Sequence, residues 1–301
     1  MNSVVIALGG NALPAAAGGG IERAMMRQME GIGKIAADNR MRVALTHGNG
    51  PQVGDEMIRN EYSRGIVNEL PMHLINAATQ ATVGAAIEEY LMGSLAKRGS
   101  DRHIATVITH VLVNARKGKE RAVKQIGPFY RKGEIAEKSD GKDYVKVGKL
   151  YRRVVWSPRP VAIMEIGAIK TLFEGGDIVI ACGGGGIPVY RKRQGYAGAE
   201  GVIDKDRTTS LLATSLKAER MVILTNEDYV YRNFPERELP IRRERARDIE
   251  RIMKGFDEGT MRPKVEAAVS FIRNGGKEAV IGNINMAEDV VSGEEGTTIT
   301  R

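Results

Sequence analysis

Four glycine-rich turns and three lysines are the residues in this chain whose types and spacing suit chemistry on phosphate. The turns are Gly9-Gly10-Asn11-Ala12-Leu13, His47-Gly48-Asn49-Gly50-Pro51, Gly183-Gly184-Gly185-Gly186-Ile187-Pro188 and Gly259-Thr260-Met261-Arg262-Pro263-Lys264. Glycine lets the backbone approach an anion closely and take positive φ. Consecutive N–H groups then form a concavity for an anion, and a helix starting there adds its partial positive charge. The lysines are Lys124, just before Gln125-Ile126-Gly127-Pro128, Lys205 in Val202-Ile203-Asp204-Lys205-Asp206, and Lys264 in the fourth turn. Phosphoryl transfer needs aligned reactants and positive charge on the migrating oxygens more than it needs covalent help. Lysines from separate segments that converge on one cleft would supply that charge. Asp206 stands beside them, where a carboxylate can orient a lysine or hold Mg²⁺.

Other chemistries lack their residues. No segment reads G-x-x-x-x-G-K-[ST], and no G-x-G-x-x-G is followed by a fitting acid. His47–Gly54 comes near the second pattern, one residue too long. The histidines His47, His73, His103 and His110 have no metal-ligand spacing. No G-x-S-x-G elbow occurs. The single cysteine, Cys182, ends the apolar run Ile178–Ala181 and reads as a small core residue.

The elements that must position these residues alternate in type. Short apolar runs predict strands at Ser3–Leu8, Arg42–Thr46, Ile104–Thr109, Asp177–Cys182, Met221–Thr225 and Ala279–Ile281. Helical periods between them predict helices at Ile21–Asn39, Pro51–Arg59, Met72–Lys97, Pro160–Glu174, Lys205–Leu216, Arg243–Lys254 and Arg262–Asn274. Such alternation predicts a three-layer α/β fold, a mostly parallel sheet between helices, with ligands at the carboxyl ends of the strands. The charged stretch from Arg116 to Arg153 breaks the rhythm with turn signals at Gly127-Pro128, Lys132-Gly133 and Asp140-Gly141. It reads as an inserted, protruding hairpin subdomain, with short strands at Asp143–Val147 and Tyr151–Val155. The expected organisation is one domain over 1–301, with an N-lobe 1–115, an inserted lid 116–157 and a C-lobe 158–301.

Composition bounds the class. With 42% hydrophobic and 27% charged residues, the 301-residue chain reads as a soluble globular protein. One cysteine excludes an internal disulfide framework and points to a reducing, cytoplasmic setting. No signal peptide is legible, and no apolar run approaches the ~20 residues that cross a bilayer. The net charge of +8 invites nucleic acid, but aromatics are only 5% and form no stacking platform among the basic residues. The expectation is therefore small anionic substrates, with no nucleic acid and no membrane. The residues alone leave open which small acid is phosphorylated, and a nucleotide-binding protein without turnover.

At these same residues the chain resembles the carbamate kinases, within the amino acid kinase superfamily. The resemblance runs nearly end to end. It is carried by Val5–Leu13, Thr46–Gly54, Ile126–Tyr130, Arg152–Val155, Ser157–Pro160, Ala181–Val189, Val202–Asp206, Asn233-Phe234 and Pro263–Ala267. Many superfamily members carry a lysine two residues before the first Gly-Gly pair. This chain has Ala7 there, as carbamate kinases do. The resemblance implies that Lys124, on the inserted lid, supplies the missing charge. It also implies reversible phosphoryl transfer between ATP and carbamate, giving ADP and carbamoyl phosphate, with Mg²⁺. Gly9, Gly10, Asn11, Gly48, Asn49 and Gly50 would hold the carbamate and the moving phosphoryl. Lys124 and Lys205 would neutralise the transition state, with Asp206 orienting lysine. Gly183, Gly184, Gly185, Gly186 and Lys264 would contact nucleotide phosphates. The family implies an eight-stranded sheet and a homodimer.

Overall fold

The computed structural model describes residues 3–9, 20–115, 124–138, 142–232, 239–256 and 261–301. Helices α1 (Gly20–Ala36), α2 (Gly50–Tyr62), α3 (Met72–Ala96), α4 (Lys132–Lys138) and α5 (Ile166–Gly175) come first. They are followed by α6 (Lys205–Ser215), α7 (Ala246–Ile252), α8 (Met261–Arg273) and α9 (Ala287–Ser292). Eight strands form the central sheet. Their order is Arg243–Arg245, Thr297–Thr300, Glu278–Asn283, Arg220–Thr225, Ser3–Leu8, Arg42–His47, Ile178–Ala181, Ile104–Val107. All neighbours are parallel except Glu278–Asn283 with Thr297–Thr300. Strand Ile178–Ala181 lies between Arg42–His47 and Ile104–Val107, so strands of the two expected lobes interleave.

The period-2 alternation of Ser3–Leu8 explains the layers. Val5 and Ala7 face α5, α6, α7 and α8, where Phe173, Leu212, Ile249 and Phe271 are enclosed. Val4, Ile6 and Leu8 face α1, α3 and α9, where Ile32, Ile87, Leu91 and Val290 are enclosed. A strand buried on both faces reads as a continuous apolar run, which is why Val4–Leu8 shows no polar residue. The parallel registers set Leu8 opposite both His47 and Leu224. The carboxyl ends of these strands therefore lie on one edge.

Several elements depart from the sequence reading. The strand predicted over Ile104–Thr109 stops at Val107, and His110–Val113 enters a second sheet. Thr109 is why: its amide bonds Gln80 Oε1 and its carbonyl accepts from Gln80 Nε2 and Ile187 N. These bonds occupy the groups a continuing ladder would need. The helix predicted from Pro160 begins at Ile166 instead. Residues Pro160–Ile163 are a strand, because tertiary pairing with His110–Val113 outweighs the local pattern. Residues Arg243–Arg245 likewise pair with Thr298–Thr300, so α7 starts at Ala246. Strands Ile187–Arg191 and Thr297–Thr300 and helix α9 were not legible in advance.

Within 116–157, the described residues form an antiparallel three-stranded sheet, Lys124–Tyr130, Leu150–Val155 and Tyr144–Val147, with α4 between strands. Residues 116–123 and 139–141 of the predicted hairpin lie outside the described residues. This sheet rests on α2. A Cβ on Gly54 would come within 3.3 Å of Gly127 Cα, and Gly127 itself has φ +70°. Ile126 and Val155 pack with Val53, Met57, Met72 and Ile75, and Tyr130 Oη donates to Glu61 at 3.1 Å.

Candidate active site

The turns that end the parallel strands interlock. Gly48 N donates to Leu8 O at 3.1 Å, joining the end of strand Ser3–Leu8 to the second turn. A side chain on Gly183 would strike the His47 ring, and one on Gly184 would strike the Asn49 amide. One on Gly185 would come within 2.6 Å of Ile203 O. Gly184, Gly185 and Gly186 all have positive φ, between +64° and +94°. The residues 47–50, 183–186 and 203–206 are thus one packed unit. Gly9 is half-buried at its rim, while Gly10, Asn11, Gly259, Thr260 and Asn233-Phe234 lie outside the described residues.

Two observations mark the N-terminus of α2 as open to a ligand. Asn49, at its N-cap position, makes no side-chain cap and instead donates from Nδ2 to Thr79 Oγ1 at 2.9 Å. The first-turn amides of α2 thus keep the partial positive charge that attracts anions. Gly50 is exposed, its φ is not positive, and a Cβ there would meet nothing within 4 Å. Neither the backbone nor the packing requires glycine at that place, so the space beside the start of α2 is open.

Beside this lies a cluster of charge. Lys205 Nζ pairs with Asp206 Oδ1 at 2.9 Å, and Lys264 Nζ donates to Asp206 Oδ2 at 3.0 Å. Lys124 Nζ donates to Ile203 O at 2.9 Å and stands 3.5 Å from Asp204 Oδ2. Asp204 caps α6, accepting at Oδ1 from Asp206 N and Arg207 N. Three lysines from three segments thus meet at one helix start. Lys205 and Asp206 are buried. Burial would raise the Asp206 carboxyl, but Lys205 and Lys264 hold it far below the usual carboxylate range. Burial and the neighbouring Lys264 push the Lys205 ammonium down. Lys264 is lifted by Asp206 in spite of burial.

His47 sits at the floor. Its Nδ1 is 3.0 Å from Gly48 O, and because a carbonyl only accepts, Nδ1 carries the proton. Full enclosure, with Lys205 near, lowers this imidazole from its ordinary 6.5 to about 4. It is therefore neutral at physiological pH, and burial pushes the Cys182 thiol up, which keeps it inert.

Two sequence assignments change. The Gly185 and Gly186 amides donate to Cys182 O and Gly183 O, closing their own turn, so neither is offered to a nucleotide phosphate. Both Asp206 oxygens lie within 3.0 Å of a lysine ammonium, an ion-paired carboxylate whose surroundings are cationic and do not favour a metal ion. Among the described residues no group of three His, Cys, Asp or Glu can hold one either. Sequence reasoning missed Asp204, Thr79, Gln80 and the buried Thr46–Thr209 hydroxyl pair at 2.7 Å. A signal existed for each of the first three. Asp before a helix is an N-cap sign, and Thr79 and Gln80 are polar at core-facing positions of α3.

The sequence profile of the amino acid kinase family matches residues 2–283. A carbamate kinase 2 of Staphylococcus aureus is 38% identical over an alignment of 312 positions, covering 98% of each chain. Among solved structures, a carbamate kinase from Giardia lamblia bound to AMP-PNP superposes with a TM-score of 0.89 at 33% identity, over 99% of this chain and 98% of that one. An Aeropyrum pernix K1 protein superposes with a TM-score of 0.90 at 36% identity, covering 99% of both chains.

Proposed function

Because the chain belongs to the amino acid kinase family, among the carbamate kinases, we propose a reversible phosphoryl transfer between ATP and carbamate, giving ADP and carbamoyl phosphate. The protein is an ATP-dependent phosphotransferase, and the residue roles follow from the site. The α2 N-terminus, with Gly48, Asn49 and Gly50, takes the carbamate and the moving phosphoryl, together with Gly9, Gly10 and Asn11. Lys205 and lid-borne Lys124 neutralise charge on the phosphoryl oxygens as it transfers, and Lys264 beside them contacts the nucleotide phosphates. Asp206 holds Lys205 and Lys264 apart and aimed. Gly183 and Gly184 support the acceptor turn by leaving room for His47 and Asn49. The lobes 1–115 and 158–301 then serve acceptor and nucleotide, with 116–157 closing over both. The ion of the magnesium–nucleotide complex is part of the substrate and is held by its phosphates.

The single observation that carries this reading is Lys205. Its Nζ is buried with no well-angled hydrogen-bond partner among the described residues. Asp206 Oδ1 at 2.9 Å balances its charge but leaves its N–H donors poorly satisfied, which costs ~1–3 kcal/mol, and an anion bound between Lys205 and Gly50 removes that cost. The test is ATP formation from ADP and carbamoyl phosphate in a coupled assay, beside a panel of other acyl phosphates. Turnover with carbamoyl phosphate is expected. Turnover with another acyl phosphate and none with this one overturns the acceptor. Nucleotide binding without turnover on any member overturns the enzyme.

A homodimer through α3 belongs to the same reading. Its outer face exposes Leu74, Ala81, Ala85 and Met92, continuous with exposed Ile108, Met164 and Tyr196. Helix faces of small residues allow close crossing of two copies. Ala81→Glu should convert a sedimenting dimer to monomer, and an unchanged mass would remove α3 from the interface. No helix among the described residues is long and apolar enough to cross a membrane. The single, buried cysteine suits a reducing cytoplasm.

A further inference from the structure

We propose that Asp204 is the seat of the lid lysine, a positioning residue that holds Lys124 against the start of α6. The inference deepens the phosphotransferase reading and rests on it. Lys124, Lys205 and Lys264 all meet at the N-terminus of α6. That end of a helix carries about half a positive charge of its own. Three ammonium groups gathered there repel one another and the helix. Asp206 answers two of them, since its oxygens hold Lys205 and Lys264. The third is answered by Asp204. Its Oδ1 satisfies the two helix amides, and its Oδ2 stands 3.5 Å from Lys124 Nζ.

The bond from Lys124 to Ile203 O fixes direction but cancels no charge. Among the described residues Asp204 is the carboxylate paired with Lys124, so it offsets the repulsion that would lift this end of the lid from the site. Both side chains are only part-exposed, at 29% for Lys124 and 25% for Asp204, so solvent screens the pair incompletely. A bound phosphate supplies negative charge at the same place. Asp204 thus holds the lid lysine ready before substrate arrives, and substrate takes over its charge role.

Asp204→Asn and Asp204→Ser separate this role from capping, since Asn and Ser are both good N-caps. Asn keeps the shape without the charge, and Ser is too short to reach Lys124. Three readouts apply to each full-length variant. Thermal midpoint should stay close to that of the parent protein. Turnover of carbamoyl phosphate with ADP should fall about tenfold, with the KM for ADP within about threefold. In a Lys124→Ala background the same substitutions should cost nothing further. Acetylation of the resting protein, followed by mass spectrometry, should label Lys124 about threefold or more faster in the variants, while exposed Lys146 on the same sheet is unchanged. Saturating ADP with inorganic phosphate should bring Lys124 labelling back toward the parent rate. Labelling needs no turnover, so it decides the role of Asp204 even if carbamoyl phosphate is not the substrate. Unchanged Lys124 labelling in both variants, or losses that add in full to that of Lys124→Ala, overturns the proposal.

Discussion

Replacing His47 by glutamine should remove a defined part of the acid sensitivity of folding. The imidazole is fully enclosed and titrates at about 4, against an ordinary 6.5. The unfolded chain therefore takes up a proton near pH 6.5, and the folded chain only near pH 4. Between these values the unfolded state binds more protons, so stability falls as pH falls. A tenfold difference in proton affinity between the two states is worth about 1.4 kcal/mol, and at pH 4 the folded group is half protonated, so the loss there is about 3 kcal/mol. Glutamine can keep a donor for Gly48 O and does not titrate. The carboxylates, Asp206 included, contribute alike to both proteins and cancel in the difference. Urea unfolding at pH 7.5 and at pH 4 is the assay. The parent protein should lose about 3 kcal/mol more than His47→Gln over that interval. Equal losses would show that His47 is not held neutral, and would refute the buried floor deduced for the acceptor turn.

Further outcomes follow from the same geometry. Lys124→Ala should lower kcat about a hundredfold or more while ADP affinity changes less than about threefold, because its charge is needed mainly in the transition state. Equal losses in both, by kinetics and calorimetry, would remove the lid role. Asp206→Asn leaves Lys205 and Lys264 buried against each other and should cost about 3–5 kcal/mol of stability at pH 7 in urea. Because the folded Asp206 carboxyl is depressed, this advantage is present above the ordinary carboxylate range and is lost as pH falls below it, so the gap between parent and variant should narrow on acidification. Two glycines should behave oppositely. Gly184→Ala meets positive φ and the Asn49 amide, and should cost at least about 1–3 kcal/mol of stability. Gly50→Ala has open space around it and should leave stability within about 0.5 kcal/mol, yet suppress turnover.

The central sheet was legible because a strand buried on both faces must be apolar throughout, as Val4–Leu8 and Ile178–Ala181 are. Of the lysines, Lys264 lies within a glycine turn, Lys124 precedes the turn signal Gly127-Pro128, and Lys205 stands between two aspartates. What escaped depended on partners distant in sequence. Pro160–Ile163 becomes a strand only because His110–Val113 lies alongside. Thr297–Thr300 is polar in three of four residues and is held by pairing with Glu278–Asn283 and Arg243–Arg245. The third turn looked like an anion cradle, yet two of its amides are used internally and its glycines make room for His47, Asn49 and Ile203. Glycine spacing does not distinguish room for a ligand from room for a neighbouring turn. Asp204 was passed over for a similar reason: its two oxygens serve different partners, and only one of those partners is local.

The most direct test of the convergent charges is a crystal structure with ADP, carbamate and a metal-fluoride mimic of the moving phosphoryl group. The mimic should lie between the α2 N-terminus and α6, with Lys124, Lys205 and Lys264 Nζ each within about 3.2 Å of its fluorides or of the flanking phosphate oxygens. A mimic bound elsewhere, or one with Lys124 turned out to solvent while the enzyme turns over, would contradict the account.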